Sequence, residues 1–342
     1  MRFLMISLLY LLSVSSPVSA RFLPSDTSRV SCYQHAEKRL MEAFRLMEKH
    51  YYKKNEVNWD SLMRAARQRL NASVDCEEAL ETVNWCFRLL SETHSFVMPA
   101  PKAAIYTNDP SLKSAPRLSQ VVGEIKAELI GDDQIAYLSV PWMSTSDETI
   151  AALLADSLQR EISRLDGTGI QKWIIDLRQN SGGNCWPMLA GLGPLLGEGV
   201  CGFFVSGSAK VPIRYENGAA YQGKYVRCAV TGKPYKMKAD NKFIVVLTGG
   251  RTSSSGEIVA LAFKGKAQTW LFGEPTAGNT TANASYPLSD KSLLVLTVCQ
   301  EADRFGNLYS GPIVPDKLVS SKKTSNYDDV AKSEAIMWLQ IQ

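Results

Sequence analysis

From about Val30 to about Ser95, apolar residues recur at three- and four-residue intervals, the spacing of helices that bury one face. Leu40, Phe44, Leu46 and Met47 mark a first helix, Leu62, Ala65 and Leu70 a second, and Ala79, Val83, Phe87 and Leu90 a third. Polar stretches at 55–58 and 71–75 separate them, and Pro99 and Pro101 close the unit. From Gln120 the texture changes. "VVGEIKAELI", "QIAYLSV", "WIIDL", "FIVVLTG", "TWLFG" and "SLLVLTV" read as strands. Thr149 to Leu165, Met188 to Leu196 and Gly256 to Phe263 read as helices, and 212–238 as an irregular β insertion or loop. Strands alternating with helices predict an α/β core whose chemistry gathers at strand C-terminal ends.

The start of the chain follows a different pattern. Arg2, an apolar run from Phe3 to Val14 and Val18-Ser19-Ala20 form the three regions of a secretory signal. The run is too short to span a bilayer, and no later stretch is long and apolar enough. The expected organisation is a signal peptide over 1–20, a helical bundle over 28–100 and an α/β core over 116–335. The mature protein is expected to be exported, periplasmic or extracellular, without stable membrane insertion. Net charge is only +4 and no basic tract stands out, so nothing points to nucleic acid. All seven cysteines lie beyond the signal, so disulfides are possible and an odd count leaves at least one thiol unpaired. No C-x-x-C pair and no His/Cys cluster at ligand spacing occurs, so neither a metal nor an organic cofactor is expected. Cys185 follows a glycine pair but has no nearby histidine, which favours a disulfide or a buried thiol over a nucleophile.

Two strand ends carry candidate chemistry. "FIVVLTGGRTSSSGEIVALAF" runs a buried strand through a serine-rich turn into a helix, which exposes a hydroxyl beside helix N-terminal N–H groups. Alone, such serines are better explained as helix caps. "WIIDLRQNSGGNCW" runs a second strand into Gly182-Gly183, where a backbone N–H can approach a substrate closely.

Taken together, "IIDLRQNSGG", "TSSSGEIVA", "FGEPTAGNTTAN" and "YSGPIVPD" resemble four ordered motifs of the tail-specific, or carboxyl-terminal processing, serine peptidases. The tricorn core protease and retinoid-binding repeats are relatives of that family. The likeness runs from "HYYKKNEVNWDSL" to Asp316. It implies a crotonase-like (ClpP-like) αβα core with a small N-terminal helical bundle and β insertions, and a peptide or protein substrate. The family's nucleophile lies three residues before the helix glutamate, Glu257, and so falls on Ser254. The Ser255 N–H becomes one oxyanion donor, and that of Gly182, or alternatively Gly183, the other. Asp176 and Arg178 are expected to hold the turn. About twenty residues separate Pro99 from Gln120, too few for the substrate-reading PDZ domain of many relatives.

The base departs from the simplest pattern. Where Ser/Lys members carry lysine and glutamine, this chain has Asn279 and Asn283, which cannot accept a proton. The tricorn-like branch uses a histidine from the end of the helical unit, and His94 in "LLSETHSFVMPAP" matches it. His35 and His50 sit on the first helix, where surface or helix-end roles are expected. The branch's acid position is Tyr309 here; Asp303 or Glu301 could supply a carboxylate, or Asp303 could simply cap a turn. Thr93 could hold the imidazole by its hydroxyl. The expected function is a serine peptidase working through an acyl-enzyme on Ser254, with His94 as base and Asp303 as acid. The alternative is a catalytically inactive member that binds a ligand or peptide.

Overall fold

The computed structural model describes residues 26–112, 114, 117–131, 134–320 and 329–342; the expected signal sequence lies outside them. Helices α1 (Asp26–His50), α2 (Trp59–Ala72), α3 (Cys76–Leu80) and α4 (Thr82–Leu89) come first. Asn58 and Asp75 cap α2 and α3 by accepting the N–H groups of Ser61 and Glu78. The expected third helix is broken at Glu81, which leaves the helical run with ψ −3° and starts α4. Strand β1 (Phe96–Met98) follows, then α5 (Ala100–Thr107), α6 (Leu118–Val121), β2 (Ala127–Ile130) and β3 (Ile135–Ser139). Only the end of "VVGEIKAELI" is therefore extended.

Next come α7 (Glu148–Leu165), β4 (Lys172–Asp176) and α8 (Cys185–Leu196), then the meander β5 (Gly199–Ser206), β6 (Ala209–Glu216), β7 (Ala219–Gln222) and β8 (Tyr225–Ala229). The chain continues through β9 (Phe243–Thr248), α9 (Ser255–Phe263), β10 (Thr269–Gly273) and β11 (Thr281–Pro287). It ends with β12 (Leu293–Ala302), β13 (Leu308–Tyr309), β14 (Lys317–Leu318) and α10 (Val330–Gln340).

The strands form two sheets. One has the order β14-β10-β9-β4-β3-β2 and is parallel except for β2. The other has the order β1-β12-β5-β6-β7-β8, with β11 and β13 also paired to β12, and is antiparallel. The central parallel strands β3, β4 and β9 are buried on both faces, as crossover helices require, while the edge strand β14 is exposed. Leu138, Trp173, Ile175, Ile244 and Val246 face α7, α8 and α9, whose far side meets Cys201, Phe204 and Ile213 of the second sheet. On the opposite face, Tyr137, Ile174, Val245 and Leu247 pack on Ala331, Ala335 and Leu339 of α10. Arg178 fastens that helix by pairing with both Asp176 and Asp329, and Tyr137 donates to Asp176.

Strand β12 joins the helical unit to this core. Its side chains alternate, Leu294 and Leu296 packing with Leu40, Phe44 and Phe87 while Leu293 and Val295 meet Ala103 of α5. A disulfide, Cys32–Cys76, ties α1 to α3. The other five cysteines are buried thiols, Cys185 among them. Because that bond closes a loop with a sequence separation of 44, chain-entropy reasoning gives it roughly 4 kcal/mol. The double variant Cys32→Ser/Cys76→Ser should lose stability on that scale in urea titrations followed by tryptophan fluorescence.

Candidate active site

Strands β4 and β9 are parallel neighbours, so the turns after them lie side by side. They are sewn together by Ser253 N–H donating to the Asn180 carbonyl and the Thr252 hydroxyl donating to that of Leu177. Ser254 ends the second turn at φ 54° and ψ −119°, a conformation that non-glycine residues seldom adopt and that costs on the order of 1–3 kcal/mol. The compensation is local. Its N–H donates to Glu257 Oε2 at 2.8 Å, and Glu257 Oε1 in turn accepts from the Thr276 hydroxyl and the Gly278 N–H. Glu257 is fully buried, and that burial pushes its carboxyl up while these hydrogen bonds oppose the shift.

Ser254 occupies the N-cap position, yet its side chain makes no capping bond. Instead Ser254 Oγ lies 2.8 Å from His94 Nε2. His94 immediately precedes the strand segment that pairs with β12, and Thr281 opens β11 on the other side of β12. The ring's second nitrogen, Nδ1, lies 2.8 Å from Thr281 Oγ1. Below it, Glu92 Oε1 accepts the N–H groups of His94 and Ser95 and the Thr297 hydroxyl, and Glu92 Oε2 accepts the Tyr51 hydroxyl. Burial lowers the His94 pKa to about 4, with the Glu92 charge pulling the other way.

The structure sorts the other expected site residues unevenly. The Gly182 N–H, expected as an oxyanion donor, donates to Asn180 Oδ1 at 3.0 Å and so is engaged within its own turn. The Gly183 and Ser255 N–H groups have no acceptor among the described residues. Gly183 is anchored from both sides, since its carbonyl accepts the Ser255 hydroxyl and it bridges Met143. Its φ of 109° suits glycine, and an added Cβ would lie 2.1 Å from the Met143 carbonyl oxygen.

Asp303 does not reach His94. Its Oδ1 accepts the N–H groups of Phe305 and Asn307, and its Oδ2 accepts from the Asn307 amide and the Tyr309 hydroxyl, so it organises its own turn. Those bonds hold its carboxyl low despite its burial. Glu301 is also elsewhere, 1% exposed in a small cavity with Cys201, Ile258 and Leu261. Burial, with the Glu257 charge second, raises its pKa well above the usual carboxylate range. Thr93 turns to Asn279 rather than to the imidazole. Asn279 donates to Ser253 Oγ at 2.9 Å, and Asn283 donates to the His94 carbonyl at 2.8 Å. Among the described residues, no group of three or more His, Cys, Asp or Glu side chains is arranged to hold a metal.

A strained serine against a part-buried imidazole, with the unpaired N–H groups of Gly183 and Ser255 close by, brings together groups that nucleophilic hydrolysis requires. The sequence pattern of peptidase family S41 matches residues 134–319, and the chain belongs to that family. It is similar to the nisin-resistance protein of Lactococcus lactis subsp. lactis, 34% identical over 223 residues, 64% of this chain and 63% of that protein. The carboxy-terminal processing protease CtpA of Bacillus subtilis (strain 168) is 30% identical over 183 residues, 53% of this chain and 32% of that protein. These matches therefore span less than two thirds of either relative. In fold, a lipoprotein from Streptococcus agalactiae aligns with TM-score 0.69 at 22% identity, covering 91% of this chain and 96% of that one. The photosystem II D1 C-terminal processing protease aligns with TM-score 0.56 at 12% identity, covering 84% and 94%. The mixed α/β fold is thus shared with a solved protease, and membership of a peptidase family supports a peptidase.

Gly182 offers a direct test of how tightly the two turns are packed. A Cβ there would stand 2.9 Å from Ser254 Cβ and 3.4 Å from its Oγ, on a backbone with φ 103°. Gly182→Ala should lower stability by more than ~1 kcal/mol in thermal or urea unfolding. By displacing Ser254 it should also slow reaction with a serine-directed probe by roughly 100-fold.

Proposed function

We propose that this protein is a serine peptidase that hydrolyses peptide bonds through an acyl-enzyme on Ser254, with His94 as general base. The observation that carries this is the 2.8 Å contact between Ser254 Oγ and His94 Nε2, made by a serine in a strained turn. In this mechanism His94 takes the hydroxyl proton as Ser254 attacks the carbonyl, and returns it to the leaving amine. The N–H groups of Gly183 and Ser255 receive the oxyanion. Water then releases the acyl group by the same route.

We read the core as crotonase-like, with the helical bundle over 28–100 as the unit that delivers His94 to it. Export after removal of residues 1–20 fits a disulfide and the absence, among the described residues, of any helix able to cross a membrane. The name of the lactococcal relative makes nisin a reasonable member of the first substrate panel, beside peptides with free carboxyl termini.

The alternative is a binding protein that no longer catalyses, and a fluorophosphonate probe separates the two. Wild type should be labelled, Ser254→Ala should not, and His94→Ala should react at least ~1000-fold more slowly. An unlabelled but folded wild type is the result that removes the hydrolase reading. The pH dependence has a defined sign. Burial disfavours the imidazolium, so the neutral, working ring persists below the usual 6.5 and is lost as pH falls through about 4. Labelling rates should therefore hold from neutrality into mild acid and drop near pH 4. Linkage gives stability the same sense: between 6.5 and about 4 the unfolded chain binds a proton that the native ring refuses, so stability falls with pH across that window.

A further inference from the structure

We propose that Thr281 is the positioning residue for His94 in place of an acid, and that Glu92 influences the ring through its charge and the backbone. This inference rests on the reading of Ser254 and His94 as nucleophile and base. For Ser254 to donate its hydroxyl hydrogen, Nε2 must be the bare ring nitrogen, which puts the ring's proton on Nδ1. Nδ1–H then donates to Thr281 Oγ1, 2.8 Å away.

The carboxylates around the site are otherwise committed. Glu92 holds two backbone N–H groups, the Thr297 hydroxyl and the Tyr51 hydroxyl. Glu257 holds Ser254 N–H, Thr276 and Gly278 N–H. Asp303 is closed within its own turn, and Glu301 faces the small cavity beside α9.

Thr281 is suited to the task on two counts. Its backbone is fixed opposite Gln300 in the β11–β12 ladder, and a β-branched side chain has few rotamers to lose. Asn283, on the same strand, grips the His94 carbonyl, so one strand holds both the ring and the backbone of the base. A hydroxyl can accept from Nδ1–H as a carboxylate does, but because it can also donate, the tautomer is set by the Ser254 hydroxyl donating to Nε2. It also offers a dipole instead of a full charge to the imidazolium that forms during reaction. The titratable groups facing His94 are Glu92 on its own segment, Tyr51 just past α1 and behind Glu92, and Glu257 of α9 beyond Ser254. Glu92 is the charge that favours protonation of the ring.

The test measures fluorophosphonate labelling rates against pH for wild type, Thr281→Val, Thr281→Ser and Thr281→Asp, with nitrogen NMR of the His94 ring in wild type. Thr281→Val should label roughly 10-fold or more slowly, and Thr281→Ser should recover most of that loss. Thr281→Asp should move the acid limb upward by about one pH unit or more, because it sets a carboxylate on Nδ1. A purely structural role for Thr281 would not shift that limb. In wild type the NMR spectrum should show protonated Nδ1 and bare Nε2 at neutral pH, a readout that needs no variant to fold. The proposal is overturned by the opposite tautomer, by Thr281→Val reacting as wild type, or by a folded Thr281→Asp with an unmoved limb. Failure of wild type to label at any pH would instead remove the reading on which it rests.

Discussion

Everything in this architecture converges on one contact of 2.8 Å between two side chains 160 residues apart. Ser254 belongs to the parallel sheet, which fixes it through β9 and α9. His94 belongs to the antiparallel sheet, through β1 and its pairing with β12. Neither sheet alone makes a site. The contact forms because α8 and α9 fill the space between the sheets, and because β12 carries the helical bundle on one face. A shift of one residue in the β1–β12 register would turn Val97 away from the bundle core and displace the imidazole with it.

The site also illustrates how a strained backbone is kept. Ser254 is held at positive φ by a buried carboxyl that accepts its N–H, and that carboxyl is itself held by a hydroxyl and a further N–H. Strain at Ser254 is therefore offset by a hydrogen-bonded cluster behind it. His94 is held in the same manner, from behind through Glu92 and from the side through β11. Ser254 and His94 both owe their positions to partners on the side away from their mutual contact.

Much of the fold is legible in the chain because burial imposes period. "WIIDL" and "FIVVLTG" stand as β4 and β9, since strands covered on both faces must be continuously apolar. The expected third helix is less faithful because apolar spacing survives a break such as that at Glu81. Strand β11, "TANASYP", carries no such signature, being small, polar and only partly buried. Thr281 was hidden for that reason: one hydroxyl among several, it matters through where β12 puts it. Which glycine N–H stays unpaired is hidden for another reason. Sequence cannot distinguish Gly182 from Gly183, because the choice depends on which N–H Asn180 captures. Asp303 was chosen by proximity along the chain, and a turn that satisfies its own carboxylate overrides such proximity.

The odd cysteine count has a consequence for how this chain meets oxidants. Disulfide exchange proceeds through thiolate, and burial raises the Cys86, Cys201, Cys228 and Cys299 thiols to about 12 and Cys185 higher still. Once folded, the protein offers almost no sulfur nucleophile at neutral pH. Native packing thus acts as a protecting group, reserving oxidative chemistry for the Cys32–Cys76 pair and leaving scrambling as a hazard of the unfolded chain alone.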